Sequence, residues 1–446
     1  MKSFFHKIHV KLGDLWWYTI LLFIVNRFGD VINMFVGLWL VPKYVPAEEL
    51  GAVMPITQFI SLIGLPLGVV AIPFMKYLGV YANRGEYGKV KSLLRDAFVG
   101  AGILAVVTIL VAWLILPFLF ERCRIATGSL GLLVVVCSVL GAVATIFSNA
   151  VQGLKLFKST VWIGVFVAPL RLIVMLVTMP FRAISGYFMG QMSTSVVPIV
   201  GSLFVLRKRL GKAVKAVPYW KEDGRAMVRY ALPVAVITVL GVLSTSVDML
   251  VIRHRLSTFE SAGYYMITRF TDIASYLGTA LMVFLFPLVA SAAAKSKESL
   301  KTAAHSAAGS FAGGIGVGFI LLLVGDWLFS LNSVWAEYRS VARMMWPICL
   351  YNACAISTNC LNMYEVAQNR FRFLWYVVPL LAVKCLFLYS VTGITFFVGI
   401  LPQGFIDRIL GWQPCRLSFV VYTLLITQAL QLVCYCIDIF VLRKKS

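Results

Sequence analysis

Apolar residues fall in blocks of about 18–30, set apart by short polar stretches that hold most of the charge. About 20 apolar residues at ~1.5 Å each cross a hydrocarbon core of ~30 Å, so each block predicts a transmembrane helix. Twelve blocks are expected, near residues 17–41, 50–80, 96–119, 129–151, 160–179, 184–206, 230–252, 262–292, 304–330, 343–366, 374–399 and 417–442. The second and eighth are long and must tilt, bend or protrude. The second carries Pro55, Pro66 and Pro73, which would bend it. The fold class read from this pattern is an all-α polytopic membrane protein.

The polar stretches differ in sign. Lys and Arg concentrate in the N-terminal tail, in the alternate segments near 81–95, 152–159, 207–229, 293–303 and 367–373, and in the C-terminal tail. That asymmetry predicts both termini on the cytoplasmic side. It also accounts for a net charge of +22 without a nucleic-acid partner. Residues 1–15 are basic and precede a full-length span, so the first helix reads as retained rather than cleaved.

The largest basic stretch, RKRLGKAVKAVPYWKEDGRAMVR from Arg207 to Arg229, lies midway. It reads either as an ordinary inner loop or as a linker along an anionic leaflet. The expected domains are a tail at 1–16, a six-helix bundle at 17–206, the linker at 207–229, a second six-helix bundle at 230–442 and a tail at 443–446. The halves carry a trace of duplication. VPAEELGAVM (Val45–Met54) aligns with STFESAGYYM (Ser257–Met266), pairing Glu48 with Glu260, Gly51 with Gly263 and Met54 with Met266. Two halves in the same orientation form a parallel repeat, a recurring transporter plan.

Ionisable groups inside spans are costly and mostly face a bundle interior or a water-filled cavity. Arg27 and Asp30 in the first span are three residues apart and share a face, as do Arg269 and Asp272 in the eighth. A guanidinium fork suits phosphate. A self-neutralising pair that locks the bundle is the alternative. Arg171 and Lys384 have no carboxylate at helical spacing in their own spans and need a partner from elsewhere. Asp248, in the seventh span, reads as interfacial, as a cavity group or as a carrier of a coupling H+ or Na+. Glu365 and Asp438 lie near inner span ends, where solvation at the interface is expected. Ser193, Thr194, Ser195, Asn352, Asn359 and Asn362 read first as helix glue. Gly186, Gly190 and the glycines of 313–318 read as close-packing positions.

Of nine cysteines, most sit in apolar blocks, and none shows metal-ligand spacing. Cys123 and Cys415 fall in expected outer loops and could pair if those loops met. There is no P-loop lysine motif, no H-E-x-x-H and no nucleophile with a base at recognisable spacing. No enzyme and no cofactor are expected. Four deep basic groups against two carboxylates with basic neighbours favour an anionic ligand.

Three features carry a resemblance: the stretch Pro46–Ala97 with Arg84-Gly85-Glu86, the unit Ser244–Ala290, and the six-plus-six layout. In these the chain resembles the Wzx-type polysaccharide flippases of the MOP superfamily, which also holds MATE extruders and lipid II flippases. The resemblance implies a V-shaped pair of bundles in a bacterial cytoplasmic membrane. It implies alternating access and movement of undecaprenyl-diphosphate-linked oligosaccharide to the outer leaflet. Arg27, Arg171, Arg269 and Lys384 would contact the diphosphate or acidic sugars. The partners it implies are the lipid-linked oligosaccharide, membrane lipids and the polysaccharide polymerase and chain-length machinery, with the chain itself a monomer. A cation-coupled MATE-like extruder is the second reading, and would rely on Asp248. A membrane glycan ligase or polymerase is the third, weakened by the lack of a long outer loop beyond 400–416.

Overall fold

The computed structural model describes residues 2–126, 128–210, 215–291, 296–367, 370–390 and 416–441. Every regular element among these residues is helical. Eleven long helices run through the described residues. They are α1 (Lys2–Phe35), α2 (Val53–Asn83), α3 (Tyr87–Arg122), α4 (Gly128–Gly153), α5 (Phe157–Leu210), α6 (Trp220–Arg255), α7 (Thr258–Ser291), α8 (Ser296–Ser330), α9 (Met345–Ala367), α10 (Leu374–Ser390) and α11 (Arg416–Cys436).

Eight helical segments among the described residues are long and apolar enough to cross a membrane. The twelve blocks read from hydropathy map onto fewer helices for a physical reason. At 54 residues α5 is about 80 Å long at ~1.5 Å per residue, well over twice a ~30 Å core. It breaks at Ala183, whose φ of 43° and ψ of −118° are non-helical. The fifth and sixth blocks are therefore one assigned helix with a turn in it. Pro66 and Pro73 lie inside α2, as expected of its bend, whereas Pro55 falls in the first turn, where a missing N–H costs nothing.

α3 shows what surrounds the protein. Val99, Ile103, Val106, Leu110, Trp113 and Leu114 recur at helical spacing and are exposed, while Ala101, Thr108, Ala112, Leu116 and Phe120 face inward. A soluble protein rarely shows so long an apolar stripe. Lipid is the solvent that accepts it, and the chain is a multi-pass membrane protein.

Contacts divide the chain into two compact units. One comprises Met1–Val36 and Pro55–Ser246; the other comprises Gly37–Met54 and Val247–Ser446. The hydropathy pattern assigned 37–54 to the first bundle. Contacts assign it to the second unit because it packs on α7. There Ser261 Oγ donates to Gly51 O at 3.0 Å and Tyr265 Oη to Gly37 O at 3.1 Å.

The first unit has a core of Leu67, Phe74, Leu78, Tyr81, Leu93, Leu94, Ile146 and Phe147. The described part of the mid-chain stretch packs on this core rather than lying free. Tyr219 is buried in it, Val217 N donates to Gly88 O at 3.1 Å, and Tyr81 Oη donates to Asp223 Oδ2 at 2.8 Å. Lys89 pairs with Glu222 at 2.6 Å and Glu86 at 3.1 Å. Burial and the nearby Asp96 carboxylate hold the Tyr219 phenol above its ordinary pKa.

In the second unit α8 and α9 approach closely. A Cβ on Gly314 would meet Ala353, and one on Gly318 would lie 3.1 Å from the Cβ of Cys349. Gly186 and Gly190 do the same work in α5, against Met179 and Met175. These four glycines serve close approach, as expected, whereas Gly313 and Gly316 of the same stretch have nothing within 4 Å of a Cβ and do not. Cys123 is buried at the end of α3, and Cys415 lies outside the described residues.

Candidate functional site

In the first unit the site is built on α1 and α5. Arg27 and Asp30 stand one turn apart on α1, and Nη2 lies 2.9 Å from Oδ2. Their side chains are 26% and 20% exposed, so the pair is neither sealed in the core nor open. The guanidinium also sits over the Phe23 ring, 5.5 Å from its centroid. One turn further along the same face comes Asn33, and its Oδ1 accepts a hydrogen bond from Nη1 of Arg171. Arg171 reaches Tyr187 as well, with Nη2 3.5 Å from Oη and Cζ 5.7 Å from the ring centroid. Neither Asn33 nor Tyr187 stood out in the sequence. The spacing of 27, 30 and 33 was the available signal for Asn33, since steps of three stay on one helical face.

The second unit repeats the pair on α7. Arg269 Nη1 lies 2.9 Å from Asp272 Oδ2, and the side chains are 28% and 25% exposed. The Arg269 guanidinium is 5.4 Å from the Tyr265 centroid. Exposure, geometry and an aromatic four residues upstream all match the α1 pair.

Deeper in the second unit lies a set the sequence left scattered. Asp248 on α6 is 3% exposed and Lys384 on α10 is 4% exposed. The ammonium and the carboxylate lie within electrostatic reach of each other. Tyr264 Oη donates to Asp248 Oδ2 at 3.2 Å, and Lys384 Nζ stands 5.9 Å from the centroid of Tyr351. The partner Lys384 needed thus comes from another helix. A buried charge is costly unless it is balanced and hydrogen-bonded, and here the Tyr264 hydroxyl and the Lys384 ammonium lower the cost of the Asp248 carboxylate.

The expectation for Glu365 and Asp438 is corrected, and that for the polar clusters is not. Glu365 and Asp438 are not solvated at an interface: they are 0% and 6% exposed. They flank the Tyr435 ring system where α9 and α11 pack, and that packing excludes water from both carboxylates. The polar clusters act mainly as helix glue. Ser193 Oγ and Thr194 Oγ1 donate to carbonyls three residues back in α5, and Asn352 Nδ2 donates across to Thr271 O at 3.4 Å. Among the described residues no group of three His, Cys, Asp or Glu could hold a metal ion.

Residues 19–293, over half the chain, match the family described as polysaccharide biosynthesis protein. No curated protein matches. Among solved structures, an inward-facing MATE-family multidrug resistance transporter of the MOP superfamily superposes with a TM-score of 0.65 at 13% identity, covering 96% of this chain and 99% of its own. The lipid II flippase MurJ, in an inward closed conformation, superposes with a TM-score of 0.63 at 11% identity, covering 94% and 87%. A mutant of the Vibrio cholerae MATE transporter VcmN gives 0.62 at 12% identity, covering 94% and 95%. At these identities the likeness speaks for the fold alone, which this chain shares with these MATE and MurJ structures. The chain is a multi-pass membrane protein of the polysaccharide biosynthesis protein family.

Proposed function

We propose that the protein moves undecaprenyl-diphosphate-linked oligosaccharide from the inner to the outer leaflet of a bacterial cytoplasmic membrane, with both termini cytoplasmic. The observation that carries this reading is the pair of half-exposed Arg-x-x-Asp units, Arg27–Asp30 and Arg269–Asp272, one in each unit. Arginine binds phosphate through two parallel N–H donors. A carboxylate on the next turn orients the fork. Arg171, held by Asn33 and Tyr187, adds a third guanidinium in the first unit. The family description, polysaccharide biosynthesis, supports a glycan-bearing cargo. The polymerase and chain-length machinery would then act on the product.

The reading as a cation-coupled drug extruder is weaker on one specific ground. Its best carboxylate, Asp248, already has the Lys384 ammonium within electrostatic reach. A cationic drug or coupling ion would compete with a charge built into the fold. Movement of H+ or Na+ with the cargo is compatible with either reading.

The test is a leaflet-accessibility assay in reconstituted vesicles. A fluorescent lipid-diphosphate oligosaccharide becomes accessible to an external lectin only after translocation. The wild-type protein should accelerate its appearance, and Arg27→Ala or Arg269→Ala should slow it about tenfold or more, the effect of losing one charge-assisted contact. Normal rates in both variants would remove the two pairs from the cargo path.

A further inference from the structure

We infer that the second unit carries a separate subsite for a single acidic sugar ring, walled by Trp39, Pro42, Lys43, Asn332, Val334 and Trp335. It rests on the glycan reading above, and goes beyond the arginine pairs. These six residues line a cavity of about 200 Å3. One water occupies ~30 Å3 of liquid, so the space is that of a small ring rather than of a solvent molecule.

The pocket forms where two short connections meet. After α1 the chain winds into a π-helical turn, Val36–Leu40, and then a single α-turn, Val41–Tyr44. After α8 it makes another, Ser333–Ala336, capped by Asn332. Trp335 is locked in place. Its Nε1 donates to Leu38 O at 2.7 Å, and its ring packs edge-on against Phe270, with centroids 5.3 Å apart at 87°. Trp39 is 40% exposed, and Lys43 Nζ is held 4.7 Å from its ring centroid and 5.3 Å from that of Tyr44.

The lining is mostly apolar, and its polar side chains besides the indoles are Lys43 and Asn332. Asn332 Oδ1 accepts from Val334 N at 3.0 Å, and the remaining polar group of that side chain, the amide NH2, is a donor. Lys43 supplies an ammonium, which has three donors and no acceptor. Indole faces stack on the C–H face of a pyranose, while donors alone select acceptors, above all a carboxylate. A hexuronic or similar acidic sugar satisfies both. Trp and Lys also collect at membrane interfaces as anchors. An anchor needs neither a concave site nor an indole fixed by a hydrogen bond and an edge-on ring.

The turn that supplies Trp39 also touches the Arg269–Asp272 pair. Gly37 lies against the stem of Arg269, and Phe270, the neighbour of Arg269, supports Trp335. One five-residue turn thus borders both the phosphate-type pair and the sugar pocket. π-helical turns are frequent at functional sites.

The test is saturation-transfer NMR on the full chain in phosphatidylcholine nanodiscs. The probes are the methyl glycosides of glucuronic, galacturonic and N-acetylneuraminic acids, with methyl glucoside as the neutral control. At least one acidic glycoside should give a saturable signal and bind more tightly than the glucoside. Trp39→Ala and Lys43→Gln should weaken it roughly fivefold or more. Trp39→Phe, which keeps an aromatic face, should stay near wild type and serves if Trp39→Ala fails to fold. Silence from all three acidic probes, or unchanged binding in Trp39→Ala and Lys43→Gln, would overturn the subsite. So would loss of the signal on adding phosphatidylglycerol, which would assign the pocket to an anionic lipid headgroup. These readouts do not involve Arg27 or lipid-linked cargo, so the subsite and the flippase reading fail separately.

Discussion

Gly37 faces the aliphatic stem of Arg269 so closely that a Cβ at position 37 would lie 2.6 Å from the arginine Cδ. The neighbour is a flexible side chain, so it can move, and the fold tolerates the change at low cost. The guanidinium cannot then keep its present place beside Asp272. Gly37→Ala should lower translocation several-fold, while the melting temperature of the purified protein shifts by no more than a few degrees. A variant with wild-type transport would show that the position of Arg269 is not critical.

Asp248 and Lys384 test a different relationship. Removing one of two opposite charges buried within reach of each other leaves the other unbalanced in a desolvated place, and costs up to about 3–5 kcal/mol. Asp248→Asn or Lys384→Met alone should therefore destabilise the protein strongly in denaturation. The double variant Asp248→Asn/Lys384→Met should recover a large part of that loss, because no buried charge remains. Additive losses in the double-mutant cycle would mean that the two groups are not coupled.

Gly51 and Gly263 occupy matching places in the two halves, yet their surroundings differ. A Cβ on Gly51 would lie 2.8 Å from the backbone N of Ala262, which cannot retreat, whereas one on Gly263 would meet the Val341 side chain at 3.1 Å. Gly51→Ala should cost about 1–3 kcal/mol by overpacking. Gly263→Ala should cost less. Thermal unfolding of the two variants in the same detergent gives the comparison.

The clasp on the mid-chain stretch predicts a local effect. Tyr81→Phe removes the hydrogen bond to Asp223, a charge-assisted contact of about 1.5–3 kcal/mol. Amide exchange at Val217 and through the first turn of α6 should speed up, and exchange in α9 should not. Uniform acceleration in both places would indicate global rather than local loss.

Much of this was legible because it is local. Helical blocks are a property of consecutive residues, and Arg27–Asp30 and Arg269–Asp272 are partners one turn apart. The matched stretches Val45–Met54 and Ser257–Met266 were visible too. Their contact was not: Gly51 O accepts from Ser261, and Thr268 Oγ1 approaches Met54 S at 3.4 Å. The links Arg171–Asn33 and Asp248–Lys384 join separate helices, and no periodicity encodes which helices meet. Glu365 and Asp438 misled for the same reason. Nearness to the end of an apolar block suggests water, but burial depends on what packs against that end.

The central claim is that a diphosphate-linked glycan binds through the two arginine pairs. The most direct measurement is the ligand-induced rise in melting temperature of the purified protein, with undecaprenyl-diphosphate oligosaccharide, undecaprenyl monophosphate and a cationic dye compared. A ligand at a hundred times its Kd stabilises the folded state by about 2.7 kcal/mol. The account predicts a clear rise with the diphosphate glycan, a smaller one with the monophosphate and none with the dye, and a reduced rise in Arg27→Ala and Arg269→Ala. A rise with the dye alone, unaffected by either substitution, would contradict it.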